Sequence, residues 1–108
     1  MAEKLFGYAG KQLRVSLTYG EVKEEDLDPD LMRKYLGGSG YGAKLLYDEL
    51  EAGVDPLSED NKLVFATSPL TARQVPGGGS LEVCYKSPLT NTWGESRVGD
   101  EFGFNLKK

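Results

Sequence analysis

Residues 67–103 read TSPLTARQVPGGGSLEVCYKSPLTNTWGESRVGDEFG, and this stretch decides how the rest of the chain is interpreted. A strand-like segment at residues 81–85 follows a run of three glycines, and a Ser-Pro-Leu-Thr sequence occurs on each side of it. Glycine-rich loops between strands can bring bare backbone amides close to a flat or anionic ligand, because no side chain intervenes. Simple hairpin turns explain the same composition equally well, so both interpretations stay open at this point.

The composition is that of a small folded domain. The chain has 108 residues, of which 39% are hydrophobic and 28% are charged. Its net charge of −4 and the lack of a long basic run argue against nucleic acid as a partner. We expect a cytoplasmic protein outside the membrane, because no secretory signal is visible and no apolar run approaches the roughly 20 residues of a membrane helix.

The residues needed for common catalytic and metal sites are missing. The chain has no histidine and one cysteine, Cys84, which excludes a Ser-His-Asp set and an internal disulfide. An iron–sulfur or structural zinc site built from this chain alone is excluded for the same reason. Cys84 lies within a strand-like segment, which favours packing over reactivity. We therefore predict no catalytic residue and no metal ligand here.

A β-hairpin is predicted near the beginning of the chain. Residues 11–18 alternate between polar and apolar side chains, which indicates a half-buried strand with Leu13, Val15 and Leu17 on one face. A tight turn follows, and the chain can return as a hairpin partner from residue 21. The acidic residues 24–28 are expected to form a solvated loop.

Two helices are predicted next. Asp28 is a typical cap for the first helix, which ends before paired glycines. Ser39 is the predicted cap of the second helix, which runs to residue 50. Helical spacing predicts a core-facing side for this helix, formed by Ala43, Leu46, Tyr47 and Leu50. Glycines in its first turn, Gly42 among them, indicate either close packing against a strand or close approach of a ligand.

The second half of the chain is predicted to consist mainly of strands. Residues 62–67 contain four consecutive apolar residues at 63–66, which indicates a strand covered on both faces. Residues 81–86 alternate and indicate a half-exposed strand, and a third strand begins near residue 92. Asp100 is the expected cap of a final helix at residues 101–108.

This order of elements predicts the α+β class, with mixed or antiparallel sheets and two or three helices. Residues 1–108 are expected to form one domain, because no linker or repeat divides the chain. The final helix has no stop signal, so we expect the domain to be partial.

The glycine-rich segments predict a surface for binding an anion. Backbone amides near residues 77–80 and 94–99 can face a ligand, and Arg73 and Arg97 can approach them. Such a surface suits a phosphate-bearing heterocycle. Each arginine could equally form a surface salt bridge.

Several segments resemble the N-terminal domain of the tungsten-containing aldehyde:ferredoxin oxidoreductases. The similarity extends over nearly the whole chain, in order and with matching spacing. The segments that carry it are YAGKQLRVSLTYG (8–20), KYLGGSGYGAKLLYDEL (34–50), GVDPLSEDNKLVFATSPLT (53–71), KSPLT (86–90) and GDEFGFNLKK (99–108).

The resemblance implies a domain on which a bis-pyranopterin cofactor of tungsten (or molybdenum) lies, with magnesium bridging the pterin phosphates. It assigns cofactor binding to Gly78, Gly79, Ser80, Arg97 and Gly99. It also implies that a 4Fe–4S cluster is held by domains absent from this chain and that ferredoxin accepts the electrons when an aldehyde is oxidised to a carboxylic acid. The partner of this chain would then be the remainder of the oxidoreductase or a separate chain, and the chain alone is expected to be inactive.

The sequence departs from the family pattern at several of these positions. Ser80 replaces an arginine that links pterin and cluster, and Arg97 replaces an asparagine whose main chain helps to hold the magnesium. Gly37-Gly38-Ser39-Gly40 replaces Gly-Gly-Arg-Gly, and Gly99-Asp100 replaces paired glycines. These changes leave a second hypothesis open: a binding or assembly module of the same fold that has lost the cofactor and forms a homodimer through an unpaired sheet edge.

Overall fold

The computed structural model describes residues 7–72, 76, 78–99 and 101–108. Within these ranges the chain has three helices and two antiparallel sheets, which confirms the predicted α+β class. The elements are β1 (Lys11–Ser16), β2 (Glu21–Asp26), α1 (Pro29–Tyr35), α2 (Gly38–Glu49), β3 (Leu63–Ala66), β4 (Leu81–Lys86), β5 (Trp93–Val98) and α3 (Phe102–Lys107). Asp100, the expected cap of the last helix, lies outside the described residues.

Both sheets join strands that are neighbours in sequence. β1 and β2 form a hairpin, and the second sheet has the order β3-β4-β5, so β4 is its central strand. β2 continues to Asp26, which shows that the predicted loop at residues 24–28 is wrong at its beginning. Cross-strand ion pairs explain the extension, because Lys11 Nζ on β1 lies 2.9 Å from the Glu24 carboxylate on β2.

The hairpin contacts α2 through polar side chains of β1. Tyr41 Oη donates a hydrogen bond to Gln12 Oε1 at 2.6 Å, and Arg14 forms an ion pair with the carboxylate at the end of α2. Leu13 and Val15, on the other face of β1, are 60% and 57% exposed. The predicted half-buried strand is therefore confirmed, but its covered side is the polar one, because α2 presents hydrogen-bonding groups to it.

The helix starts follow the expected chemistry in only one case. The Asp28 side chain accepts a backbone amide of the first turn of α1 at 3.0 Å, which confirms the predicted cap. The predicted cap of α2 is wrong, because Ser39 lies inside the helix and Gly37 is the N-cap. Gly38 donates its amide to Thr67 O at 2.9 Å, so this amide is satisfied by the end of β3 without a capping side chain.

Close packing of α2 on β4 explains the glycines in the first turns of the helix. A Cβ atom on Gly42 would lie 2.6 Å from Cys84 Sγ, so only glycine allows this approach. This finding favours the packing alternative for Gly42 over the ligand alternative. Cys84 is fully buried, and its burial raises the pKa of the thiol to about 11, which confirms that Cys84 is a packing residue.

The predicted core face of α2 is only partly correct. Leu46 is buried, but Tyr47 is 87% exposed and Ala43 is also exposed. Gly42 and Leu46 are the buried residues of α2, which contacts β4 and β3, whereas Ala43 and Tyr47 point away from this contact.

The burial of β3 and β4 is the reverse of the prediction. Leu63 and Phe65 on the edge strand β3 are 58% and 47% exposed, although the Phe65 ring lies near Phe102 of α3, with 6.2 Å between the ring centroids. On the central β4, Leu81 and Glu82 point to opposite faces and are both buried. α2 covers one face of β4, and Gly103 of α3 lies against Leu81 on the other.

The Gly42→Ala substitution should destabilise the fold by about 1–3 kcal/mol, because the added methyl group would overlap the Cys84 side chain. The free energy of unfolding, obtained from urea denaturation, measures this effect. Gly99→Ala is the matched control, since a Cβ at Gly99 meets nothing within 4 Å, and its stability should stay within about 0.5 kcal/mol of the wild type. Equal stability of both variants would contradict the packing account.

Arg14 joins the hairpin to α2 through two carboxylates. Its Nε donates to Glu25 at 2.8 Å, and Nη1 and Nη2 contact the Glu49 carboxylate at 2.5 and 2.8 Å. Lys62 also reaches Glu49, at 3.1 Å. The hydrogen bonds from Arg14 lower the pKa of both carboxyl groups below the ordinary value of 4.5.

These lowered pKa values predict a loss of stability in acid. In the unfolded chain these carboxylates take up protons near the ordinary pKa of 4.5, whereas in the folded chain they do so only at lower pH. The stabilisation is therefore present above about pH 4.5 and is lost as the pH falls through the lower folded-state pKa values. The Glu49→Gln variant should show a shallower fall of the melting temperature between about pH 6 and pH 3. Glu59→Gln lies outside this network and is the control, whose melting temperature should fall with pH as in the wild type. The same fall in Glu49→Gln would contradict the role of the Glu49 ion pair.

Candidate functional site

A cleft of about 320 Å³ opens beside the N-terminus of α2. We call it the glycine cleft. Its wall combines glycines, short side chains, two leucines and two charged residues, namely residues 37–39, Ala66, Ser68, Leu70, Gly78, Ser80, Leu81, Glu82 and Arg97. Segments that are far apart in sequence therefore meet here, which is what a binding site for a compact ligand requires.

The glycine corner at residues 37–39 is held against the end of β3. A Cβ atom on Gly37 would lie 2.6 Å from Thr67 O, so the two backbones are in direct contact. Gly38 adopts φ +56°, a left-handed conformation that residues with side chains rarely adopt. A Cβ there would meet only Glu82 Cγ, at 3.6 Å, so the corner presents bare backbone beside free space.

The Ser-Pro-Leu-Thr turn after β3 positions the second part of the wall. Thr71 is completely buried; its hydroxyl accepts the Ser68 amide at 3.0 Å and donates to Ser80 O at 3.1 Å. Lys107 on α3 donates from Nζ to the carbonyl oxygens of Ser68 and Thr71, both at 2.7 Å. This turn thus links the end of β3 to the beginning of β4 and to α3.

Thr71 and Lys107 were not identified from the sequence as supports of this site. The repeated Ser-Pro-Leu-Thr motif was the available signal for Thr71, because a short hydroxyl side chain in a turn commonly bonds to the backbone. No local pattern marks Lys107, whose acceptors lie 36 to 39 residues away.

An ion pair lies at one side of the glycine cleft. Arg97 Nε donates to Glu82 Oε1 at 2.6 Å, and the two residues are direct register partners on β5 and β4. The Arg97 side chain is 73% exposed, whereas that of Glu82 is 11% exposed. The hydrogen bond to Glu82 raises the pKa of Arg97, so this side chain is cationic at all relevant pH values.

The structure brings together three of the five residues expected to bind a cofactor. Gly78, Ser80 and Arg97 line the glycine cleft. Gly79 lies behind it, with its carbonyl oxygen against Gly103 of α3, and Gly99 follows β5 outside the lining. Arg73, the other arginine considered, lies outside the described residues.

The expected glycine loop at residues 94–99 is largely a strand. β5 pairs with β4 from Trp93 to Val98, so most of its amides belong to an antiparallel ladder. Close packing explains why residue 94 is glycine, because a Cβ atom there would overlap the Tyr85 ring. Of residues 94–99, only Arg97 lines the glycine cleft.

The Thr71→Val substitution should destabilise the protein by about 1–3 kcal/mol, because it leaves the Ser68 amide and Ser80 carbonyl without their buried partner. Thr71→Ser keeps the hydroxyl and is the matched control, with a smaller loss from the missing methyl group. Urea denaturation compares the two variants, and amide hydrogen exchange at Ser68 reports the local opening. A Val variant as stable as the Ser variant would show that the hydroxyl does not support this turn.

Comparison with known proteins identifies the family. A sequence model described as aldehyde ferredoxin oxidoreductase, N-terminal domain, matches residues 12–108. This chain belongs to that family. The resemblance noted in the sequence is thereby confirmed over most of the chain.

Proteins with similar sequences come from Pyrococcus species. The tungsten-containing aldehyde ferredoxin oxidoreductases of Pyrococcus abyssi and Pyrococcus horikoshii are 47% and 45% identical over 103 residues. The WOR-like subunit of an aliphatic sulfonate oxidoreductase from Pyrococcus furiosus is 39% identical over 106 residues. In each case the match covers 95% of this chain and 17% of the relative, so the chain spans about one sixth of these proteins.

A solved structure shares the fold of this family member. The active-site complex BamBC of benzoyl coenzyme A reductase, determined with 1,5-dienoyl-CoA, matches with a TM-score of 0.91 and 33% identity. The match covers 94% of this chain and 16% of that chain. The arrangement of two small sheets and three helices is therefore shared with part of a longer chain in that complex.

Two further observations concern metals and membranes. Across the described ranges, no three or more His, Cys, Asp or Glu side chains are grouped so that they could hold a metal ion. No helix in those ranges has the length and apolar character needed to cross a membrane.

Proposed function

We propose that this chain supplies one wall of the pterin-cofactor site in a tungsten-containing oxidoreductase of the aldehyde:ferredoxin type. The observation that carries the proposal is the glycine cleft, where bare backbone, Ser80 and one arginine converge in a member of this family. The names of the similar proteins support tungsten as the metal, and molybdenum is the alternative.

The residues of the glycine cleft fit a flat, phosphate-bearing group. Gly38 leaves room where a side chain would otherwise project, so a ring system can lie against the backbone. Arg97 offers a cation for a phosphate, and Ser39 and Ser80 offer hydroxyl groups of short reach. The described side chains offer no cluster of metal ligands, so the ligands of tungsten would come from the pterin or from other chains.

When bound, the cofactor would supply the redox chemistry that converts an aldehyde to a carboxylic acid. The residues of this chain would bind and orient it: the corner at residues 37–39 by backbone contact, and Arg97 by charge. A bridging magnesium and a 4Fe–4S cluster that passes electrons to ferredoxin belong to the same proposal. Neither has side-chain ligands assigned in this chain.

The chain alone is proposed to be inactive and to act with the remainder of the oxidoreductase or a partner chain in the cytoplasm. None of the side chains that line the glycine cleft is assigned as a general acid or base. The uncovered apolar face of the hairpin supports a need for further protein, because Leu13, Val15 and Val22 are each more than half exposed.

The second proposed function is a binding or assembly module without a cofactor. The ion pair between Arg97 and Glu82 favours it, because the buried carboxylate offsets the positive charge that would attract phosphates. β3 and β5 form the edges of the described three-stranded sheet and offer unpaired backbone groups for a homodimer.

Analysis of protein purified from a tungsten-supplied host separates the two proposals. We expect stoichiometric tungsten and an oxidised pterin fluorophore to copurify with the assembly that contains this chain. Metal analysis by mass spectrometry and pterin fluorescence after acid oxidation are the measurements. A stable homodimer without tungsten or pterin would overturn the first proposal and support the second.

The Ser39→Trp substitution should abolish pterin retention with little change in stability, because the indole would fill the glycine cleft from the first turn of α2. Ala43→Trp places the same side chain on an exposed position of the same helix and is the matched control. Pterin content per protein and the free energy of unfolding are measured for both. Full pterin retention in Ser39→Trp would exclude the glycine cleft as the cofactor site.

A further inference from the structure

Arg97 is anchored by only one of its three nitrogens. Nε donates to Glu82 Oε1 at 2.6 Å, and among the described contacts neither Nη1 nor Nη2 has a hydrogen-bond partner. The side chain is 73% exposed and lines the glycine cleft. Two donor nitrogens of the planar guanidinium, with four N–H groups between them, therefore remain for a ligand.

The Glu82 carboxylate, which holds Arg97, is buried and needs this positively charged partner. Glu82 is 8% exposed, lies under the beginning of α2 and is the register partner of Arg97 across β4 and β5. A buried carboxylate without a paired charge is strongly unfavourable, so the ion pair persists when a ligand arrives. Since Nε is the bonded atom, the orientation of the guanidinium fork is restricted before binding.

We infer that Arg97 binds one phosphate group through both terminal nitrogens and that Glu82 is the positioning residue for this contact. The inference rests on the proposed function, because the phosphate would belong to the pterin cofactor. The planar fork of arginine matches two oxygens of a phosphate, a geometry that lysine cannot provide. The competing account is that the pair only stabilises the contact between adjacent strands.

The first test uses the 108-residue chain and inorganic pyrophosphate. Isotope-labelled protein is titrated, and resonances of the Ser39, Gly78 and Ser80 amides and of the Arg97 Nε–H group are followed. We expect shifts in all of them and a loss of affinity of about tenfold in Arg97→Lys, which keeps the charge but not the fork. Arg33→Lys on α1 is the matched control and should titrate like the wild type.

The positioning role of Glu82 is tested with two variants that remove the same charge. Glu82→Gln keeps an oxygen that can accept from Arg97 Nε and should bind pyrophosphate at least as tightly as the wild type. Glu82→Leu removes the acceptor and should bind as weakly as Arg97→Lys. Wild-type or tighter pyrophosphate binding by a folded Glu82→Leu variant would overturn the positioning role. If Glu82→Leu does not fold, Arg97→Lys still tests whether the planar guanidinium is needed.

A third set of titrations tests whether the phosphate that Arg97 binds belongs to a pterin. It also separates a failure of this inference from a failure of the proposed function. Neopterin monophosphate should bind more tightly than inorganic phosphate, and neopterin without phosphate should bind more weakly than its monophosphate. Shifts of the cleft amides that are unchanged in Arg97→Lys would overturn the inference while leaving the proposed cofactor site intact. No shift with any phosphate also overturns it, and the tungsten and pterin content of the purified assembly then decides the proposed function independently.

Discussion

The contact between α2 and β4 is the constraint on which the rest of the structure depends. Gly42 lies against Cys84, and one helical turn earlier Gly38 lies against Glu82, so the helix follows the strand with matched spacing. Four residues of helix rise about 6 Å and two residues of strand about 6.6 Å, which allows this match. Because Gly42 has no side chain, the backbones of α2 and β4 come close together, and the beginning of α2 borders the glycine cleft.

The same helix determines the orientation of the β1–β2 hairpin by polar contacts. Tyr41 and Glu49 on α2 bind Gln12 and Arg14 on β1, so the hairpin turns its apolar side chains outward. Hydrogen bonds to charged groups are strong enough to outweigh partial burial of a few aliphatic side chains. The exposed apolar face that results is typical of a domain that packs against further protein.

The glycine cleft combines features that favour and oppose an anionic ligand. Backbone corners and an exposed guanidinium favour phosphate, whereas the buried Glu82 carboxylate opposes it. An anchored arginine reconciles these features, since one nitrogen satisfies the carboxylate and the others remain for a ligand. In this family member the anchored Arg97 side chain is the proposed partner of the phosphate.

The sequence by itself determined the α+β class, the order of the elements and the family, because alternation, helix caps and glycine stops are local signals. The resemblance predicted one site from Gly78, Gly79, Ser80, Arg97 and Gly99, and Gly78, Ser80 and Arg97 line the glycine cleft. Only the tertiary structure decided which faces are buried: the polar side of β1 is covered, β3 is a half-exposed edge and Tyr47 is in solvent. Local periodicity defines the two faces of an element but not which neighbour covers one of them. The pairing of Arg97 with Glu82 likewise depends on the register between β4 and β5, which only the tertiary structure shows.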